Sequence, residues 1–131
     1  MAANSYTYSD IMSSFMIHPV KKDLVLLTDI DAVNRSLKNI IQTNFYERPY
    51  DPLYGANLRH YMFQNFDQNI ETEMKIDIQN AINNHEPRVK VISIEVTGDP
   101  DTHELNISIT YQVINVSTEV VTFSTTLKRT R

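Results

Sequence analysis

The clearest pattern along the first half of the chain is helical. Ile30, Val33, Leu37, Ile40 and Ile41 recur at spacings of three and four and share one stripe, while Asn34, Arg35, Lys38 and Asn39 fall away from it. Thr28 and Asp31 have the spacing of a capping box in front of this stripe. Asn44, which tolerates a left-handed backbone, is the expected stop. A short strand is predicted just before the helix, over residues 23–27. Asn57 can cap a short helix carrying Leu58, Tyr61 and Met62. A longer helix, capped by Asp67 or Asn69, buries Ile70, Met74, Ile78, Ala81 and Ile82 and solvates Glu71, Glu73, Lys75 and Asp77. It ends at Asn84-His85.

From Val89 the period changes to two. Ile92, Ile94 and Val96 alternate with Ser93, Glu95 and Thr97, and Gly98-Asp99-Pro100-Asp101 is a turn signal. Leu105, Ile107, Ile109, Tyr111 and Val113 then alternate with polar partners, which predicts a strand with one face in and one face out. Residues 115–118 make a second reversal. Val121, Phe123, Thr125 and Leu127 alternate with Thr122, Ser124 and Thr126. The expected fold is α+β, with two or three helices packed on one face of a three-stranded antiparallel β meander. Residues 1–22 read as an arm anchored by Tyr6, Tyr8, Phe15 and Met16, and residues 23–131 as a single domain.

Composition narrows the function classes. At 131 residues with 41% hydrophobic content, the chain can bury a working core. Twelve basic against sixteen acidic residues give a net charge of −4, which argues against nucleic-acid binding by bulk charge. There is no cysteine, so disulfides and thiolate metal sites are excluded. No apolar run approaches the roughly 20 residues of a membrane span, and Met1 to Asp10 lack the pattern of a signal peptide. Neither a nucleic-acid nor a membrane partner is expected.

Catalytic and cofactor chemistry finds little support. His18, His60, His85 and His103 are scattered without helical metal-ligand spacing. Two glycines in the whole chain rule out a Gly-rich phosphate loop. No G-x-S-x-G elbow is present. No catalytic, metal or cofactor residue is assigned.

Two stretches stand out instead. In Glu86-Pro87-Arg88, proline ends the preceding helix and sends the chain out extended. Glu86 and Arg88, two apart, then project to the same side. Arg48-Pro49-Tyr50-Asp51-Pro52-Leu53-Tyr54-Gly55 holds two prolines and a closing glycine, which forbid a long helix or a central strand. Its two tyrosines either offer a recognition surface or plug the base of the core.

These two motifs, in this order and followed by a β meander, resemble the small baseplate wedge proteins of contractile-tailed phages, the sheath initiators, whose counterparts in type VI secretion baseplates share the Glu-Pro-Arg motif. The resemblance spans roughly residues 23–131. It implies a non-enzymatic component of the virion tail baseplate, assembled in the host cytoplasm, that contacts other wedge proteins and templates the first sheath ring. Tube and hub proteins are further candidate partners. By position, Glu86, Pro87 and Arg88 would dock on the wedge core, and Arg48, Pro49, Asp51, Pro52 and Gly55 match the family's loop, in which Tyr50 is a further partner-binding candidate. The family often has glycine where Tyr46 stands, so Asn44 is expected to make that turn here.

The last strand adds a third candidate. As the end of a meander it should be an edge. Thr122, Ser124 and Thr126 neither repel nor block an incoming strand, so the sheath subunit's extended arm is a candidate for strand addition. Only one of Thr122 and Ser124 is expected to point its N–H outward. Two other function classes compete: a cell-wall glycosidase, and a regulatory anti-adaptor module of the same fold.

Overall fold

The computed structural model describes residues 9–11, 26–28, 30–114 and 119–128, with side chains from residue 30 onward. Tyr6, Tyr8, Phe15, Met16, His18 and the reversal at 115–118 lie outside the described residues. The order is β1 (Ser9–Ile11), β2 (Leu26–Thr28), α1 (Ile30–Gln42), a 3₁₀ helix (Leu58–Phe63), α2 (Gln68–His85), β3 (Val89–Asp99), β4 (Glu104–Val113) and β5 (Val120–Lys128). Strands β1 and β2 pair antiparallel as a separate ribbon, and β3-β4-β5 form an antiparallel meander with β4 in the middle. Helices and sheet give the expected α+β arrangement.

The core is where the stripes meet. Val33, Leu37, Ile40 and Ile41 of α1 and Met74, Ile78 and Ile82 of α2 are buried against Leu105, Ile107, Ile109, Tyr111 and Val113 of β4. Every inward residue of the central strand is buried, because apolar burial is worth about 1.5–3 kcal/mol for each large side chain. The inward residues of β5, namely Val121, Phe123, Thr125 and Leu127, are only half-buried. The Tyr111 hydroxyl reaches the layer above by donating to Asn34 Oδ1 at 2.5 Å, and burial pushes its pKa up to about 12.

Several expectations shift by a residue or change role. Among the described residues, the strand before α1 covers 26–28. Strand β2 runs to Thr28 and the helix begins at Ile30, with Asp31 in its first turn; the Thr28 side chain of the expected capping box lies outside the described residues. Ile30 is only half-buried, and Ala32 joins the buried stripe. Asp67, not Asn69, caps α2, its carboxylate accepting from Ile70 N at 2.9 Å. Asn57 precedes the 3₁₀ helix but does not cap it with its side chain. Its Oδ1 accepts from Phe45 N at 3.4 Å instead, and its own backbone is left-handed at φ 52°.

Strand β3 contains the largest departure from simple alternation. The register slips between Val91 and Ser93, so Ile92 is an extra residue and is 52% exposed. A bulge reverses the phase. Val89 and Val91 face inward before it, Ile94 and Val96 after it, and Ile92 leaves the core set. Gly98 sits inside the strand rather than in the turn. A Cβ there would lie 2.7 Å from Cγ of Phe66, so the glycine lets that ring lie against the backbone.

Candidate functional site

At the C-terminal end of α2 the chain does what proline dictates. Glu86 leaves helical geometry at φ −132°, ψ 78°, while its N–H closes the last turn on the Ile82 carbonyl at 2.8 Å. Its carboxylate is 3% exposed, and it is the one buried acid among the described residues. Burial disfavours that charge, and so does the negative end of the α2 dipole. Arg88 answers both with a two-pronged contact, Nε donating to Oε1 at 2.5 Å and Nη2 to Oε2 at 2.7 Å. The Ser36 hydroxyl of α1 donates to the same carboxylate. Burial alone would raise the Glu86 pKa, and the Arg88 and Ser36 hydrogen bonds overcome it, leaving the group below its ordinary value. The pair is therefore internal, and it pins α2, the start of β3 and α1 together.

The proline-rich loop folds back onto the same corner. Gly55 has φ 106°, and a Cβ on it would lie within 2.2 Å of the Thr43 carbonyl oxygen, so only glycine fits. That close approach lets Ala56 N and Asn57 N donate to Ile40 O at 3.0 Å and Thr43 O at 3.4 Å, closing the end of α1. Tyr46 N donates to Pro52 O at 2.6 Å and Tyr54 N to Asp51 O at 3.2 Å, which closes the loop on itself. The Arg48 guanidinium lies over the Tyr54 ring at 3.6 Å, and that ring packs against His85 at 4.7 Å. His85 Nε2 meets Leu53 O at 3.3 Å. Burial raises the Tyr54 pKa, opposed in part by Arg48.

The two sequence motifs are thus neighbours in space, through His85 and Tyr54. The two tyrosines divide the readings between them. Tyr54 packs against the core, and Tyr50 is fully exposed. Pro49, Asp51 and Pro52 are exposed. Asn44 does not supply the left-handed turn. Tyr46 does, at φ 66°, and its side chain is 80% exposed. Asn44 is instead occupied as a hub, its Oδ1 accepting from Arg59 N at 3.3 Å and its Nδ2 donating to Glu47 at 2.8 Å. Sequence reasoning missed Ser36 and His85. Ser36 carried no signal, and His85 had one only in its position beside Glu86.

The third candidate is the edge of β5. Ile114 N donates to Arg88 O at 2.8 Å, continuing the register Val89↔Val113 by one residue. Ile114 therefore turns its backbone groups toward β3. In a central strand these directions alternate, so Gln112, Thr110, Ser108 and Asn106 also address β3, and Tyr111, Ile109, Ile107 and Leu105 address β5. The register then makes Val121, Phe123, Thr125 and Leu127 complete the ladder. Thr122, Ser124 and Thr126 direct their N–H and C=O groups to the far edge, beside which no strand lies among the described residues. Both Thr122 and Ser124 point outward, because residues two apart are equivalent in a strand. On the solvent face their side chains pair with β4: Ser124 with Ser108 at 3.1 Å, Thr126 with Asn106 at 2.8 Å and Thr122 with Thr110 at 3.5 Å.

The same geometry bears on hydrolysis. A general acid needs a raised pKa, and the buried carboxylate here is held down by a guanidinium. Among the described residues no group of three or more His, Asp or Glu could hold a metal ion.

Comparison with known proteins places this architecture. Residues 28–117 match the family described as Baseplate wedge protein gp25. The chain is 29% identical over 115 residues to the Baseplate wedge protein gp25 of Enterobacteria phage T4, covering 88% of this chain and 86% of that protein. Among solved structures it is similar to a putative tail lysozyme from Geobacter sulfurreducens, with a TM-score of 0.67, 21% identity, and coverage of 82% of this chain and 98% of that one. It is also similar to a chain of the anti-feeding prophage baseplate, with a TM-score of 0.63, 18% identity, and coverage of 91% and 83%. A chain of the postcontracted pyocin R2 baseplate gives 0.54, 16% identity, and coverage of 88% and 100%. At these identities the structural likenesses speak to the fold.

Proposed function

The chain belongs to the baseplate wedge protein gp25 family, and from that premise we propose that it is a non-enzymatic wedge component that docks on other wedge proteins and templates the first ring of the tail sheath. The observation that carries the templating role is the β5 edge. Its outward backbone groups at Thr122, Ser124 and Thr126 are flanked by uncharged, strand-favouring side chains up to Lys128. Such an edge accepts a further strand, in which main-chain hydrogen bonds supply affinity. The extended arm of a sheath subunit is the partner assigned to it.

Docking on the wedge falls to the corner where the two motifs meet. Arg48, Pro49, Tyr50, Asp51, Pro52 and Gly55 present or brace a closed loop. Glu86, Pro87 and Arg88 fix the base on which that loop stands. Exposed tyrosine on a rigid backbone is a good contact residue, since little freedom is lost on binding. In this reading residues 23–131 act as one wedge domain and residues 1–22 as an arm. Hydrolysis has no part in it, because Glu86 is ionised and tied to Arg88.

Tails assembled with Ser124→Pro test the templating role. The substitution removes one outward donor and no ladder bond. Wedges should incorporate the variant, and the tubes above them should lack sheath. Normal sheath on such tails would refute the role of the edge. A peptidoglycan-clearing assay tests the enzymatic side: activity of the purified chain that disappears in Glu86→Gln would refute the assembly-only reading.

A further inference from the structure

The helical layer does not cover the sheet evenly. Beside the C-terminal end of β5 it leaves a cleft of about 220 Å³. Ile41 of α1, Met62 and Phe63 of the 3₁₀ helix, and Leu127 of β5 give it apolar walls, and Arg59 and Lys128 stand at its rim. Leu127 is only half-buried, and Phe63 is 57% exposed. Resting on the reading of the β5 edge given above, we propose that this cleft receives a large apolar side chain from the strand that adds to β5, and that Arg59 pairs with an acidic residue two positions away in that strand.

The argument is one of register. An added strand lies about 4.8 Å from β5, and its residue opposite Leu127 points to the same face as Leu127 does. That face is the inner one, where the cleft opens. Along an edge of otherwise similar Thr and Ser positions, backbone bonding alone would allow the incoming strand to slip by two residues. A single pocket that accepts one alternate side chain removes this ambiguity.

The rim adds the charge. Glu47 also lines the cleft, but its carboxylate is held by Asn44 Nδ2 at 2.8 Å. Lys128 reaches Glu104 at 2.9 Å. Arg59 makes no ion pair among the described residues. The cation left at the rim favours a carboxylate, and residues two apart in an extended segment share a face. The expected partner sequence therefore holds Leu, Met or Phe, one intervening residue of either kind, and then Asp or Glu, in either direction.

The probe is a fluorescein-labelled nine-residue peptide of alternating threonine and valine, in which two successive inward positions are leucine and glutamate. Fluorescence anisotropy against the full chain should show binding that weakens about tenfold when the leucine becomes alanine. The methyl resonance of Met62 should move with the leucine peptide and not with the alanine one. Arg59→Glu in the protein should weaken the leucine–glutamate peptide severalfold, and lysine in place of the peptide's glutamate should restore it. Equal affinity for the leucine and alanine peptides, with both lost on Ser124→Pro, would overturn the cleft while leaving the edge in place. Binding untouched by Ser124→Pro would overturn the edge reading and the cleft together. No binding of the leucine peptide would also overturn the inference.

Discussion

The Glu86–Arg88 corner and the β5 edge are opposites in their polar accounting. At the corner, a buried carboxylate receives hydrogen bonds from a guanidinium and a serine, and the neighbouring helix end is closed by loop amides. At the edge, a row of backbone groups points away from β4, the only strand beside β5 among the described residues. The corner is satisfied from within, so substitution there should cost stability. Among the described residues no strand pairs with the edge, so substitution there should cost assembly and little else. A motif conspicuous in sequence can be a structural brace, while the surface with unmet bonding capacity looks plain.

The largest effect is expected at the brace. Arg88→Ala strands a buried carboxylate and should destabilise the chain by about 3–5 kcal/mol, read by urea unfolding. A loss under about 1 kcal/mol would mean that Glu86 is not held as described. Replacing both partners by apolar residues of similar size, Glu86→Leu with Arg88→Met, should recover much of the loss, because no charge is then left buried. Gly55→Ala comes next. It forces a Cβ toward the Thr43 carbonyl in left-handed geometry and should cost about 1–3 kcal/mol.

Acid should act on the same brace. The folded-state pKa of Glu86 is below its unfolded value. The stabilisation it contributes is present above the ordinary glutamate pKa and is lost as pH falls through the lowered folded value. Stability measured down this window should fall in the wild type, and the gap between wild type and the double apolar variant should change with it. A gap that does not vary with pH would place the titration elsewhere.

Smaller still is Tyr46→Gly, which should stabilise by roughly 1 kcal/mol by relieving the left-handed backbone. Its effect on wedge docking should run the other way, since 80% of that ring is exposed and available to a partner. The smallest stability change belongs to the edge. Thr122→Pro and Ser124→Pro should each unfold within about 0.5 kcal/mol of wild type. Unfolding of both would mean that the ladder phase is reversed.

Much of this was legible in the sequence, and the failures have physical causes. The α1 and α2 stripes and the β4 alternation could be read directly, because burial enforces their periods. Ile92 could not, since a bulge leaves no mark in the alternation of Ile92, Ile94 and Val96. Gly98 looked like a turn residue because its real reason, the Phe66 ring, is distant in sequence. Of the site, the pairing of Glu86 with Arg88 followed from proline and a spacing of two. The contribution of Ser36 did not, because a tertiary hydrogen bond from a helix-surface serine has no local signature. Asn44 was the better left-handed residue by propensity, yet Tyr46 takes that geometry because the loop closure onto Pro52 outweighs the local cost.

Amide hydrogen exchange along β5 tests the central claim most directly. In the isolated chain, Thr122, Ser124 and Thr126 should exchange fast, and Val121, Phe123, Thr125 and Leu127 should be protected by the ladder to β4. In chains recovered from assembled baseplates with the first sheath ring, the three fast amides should have become protected. Fast exchange of those amides in both states would contradict the account, as would protection of all seven before assembly.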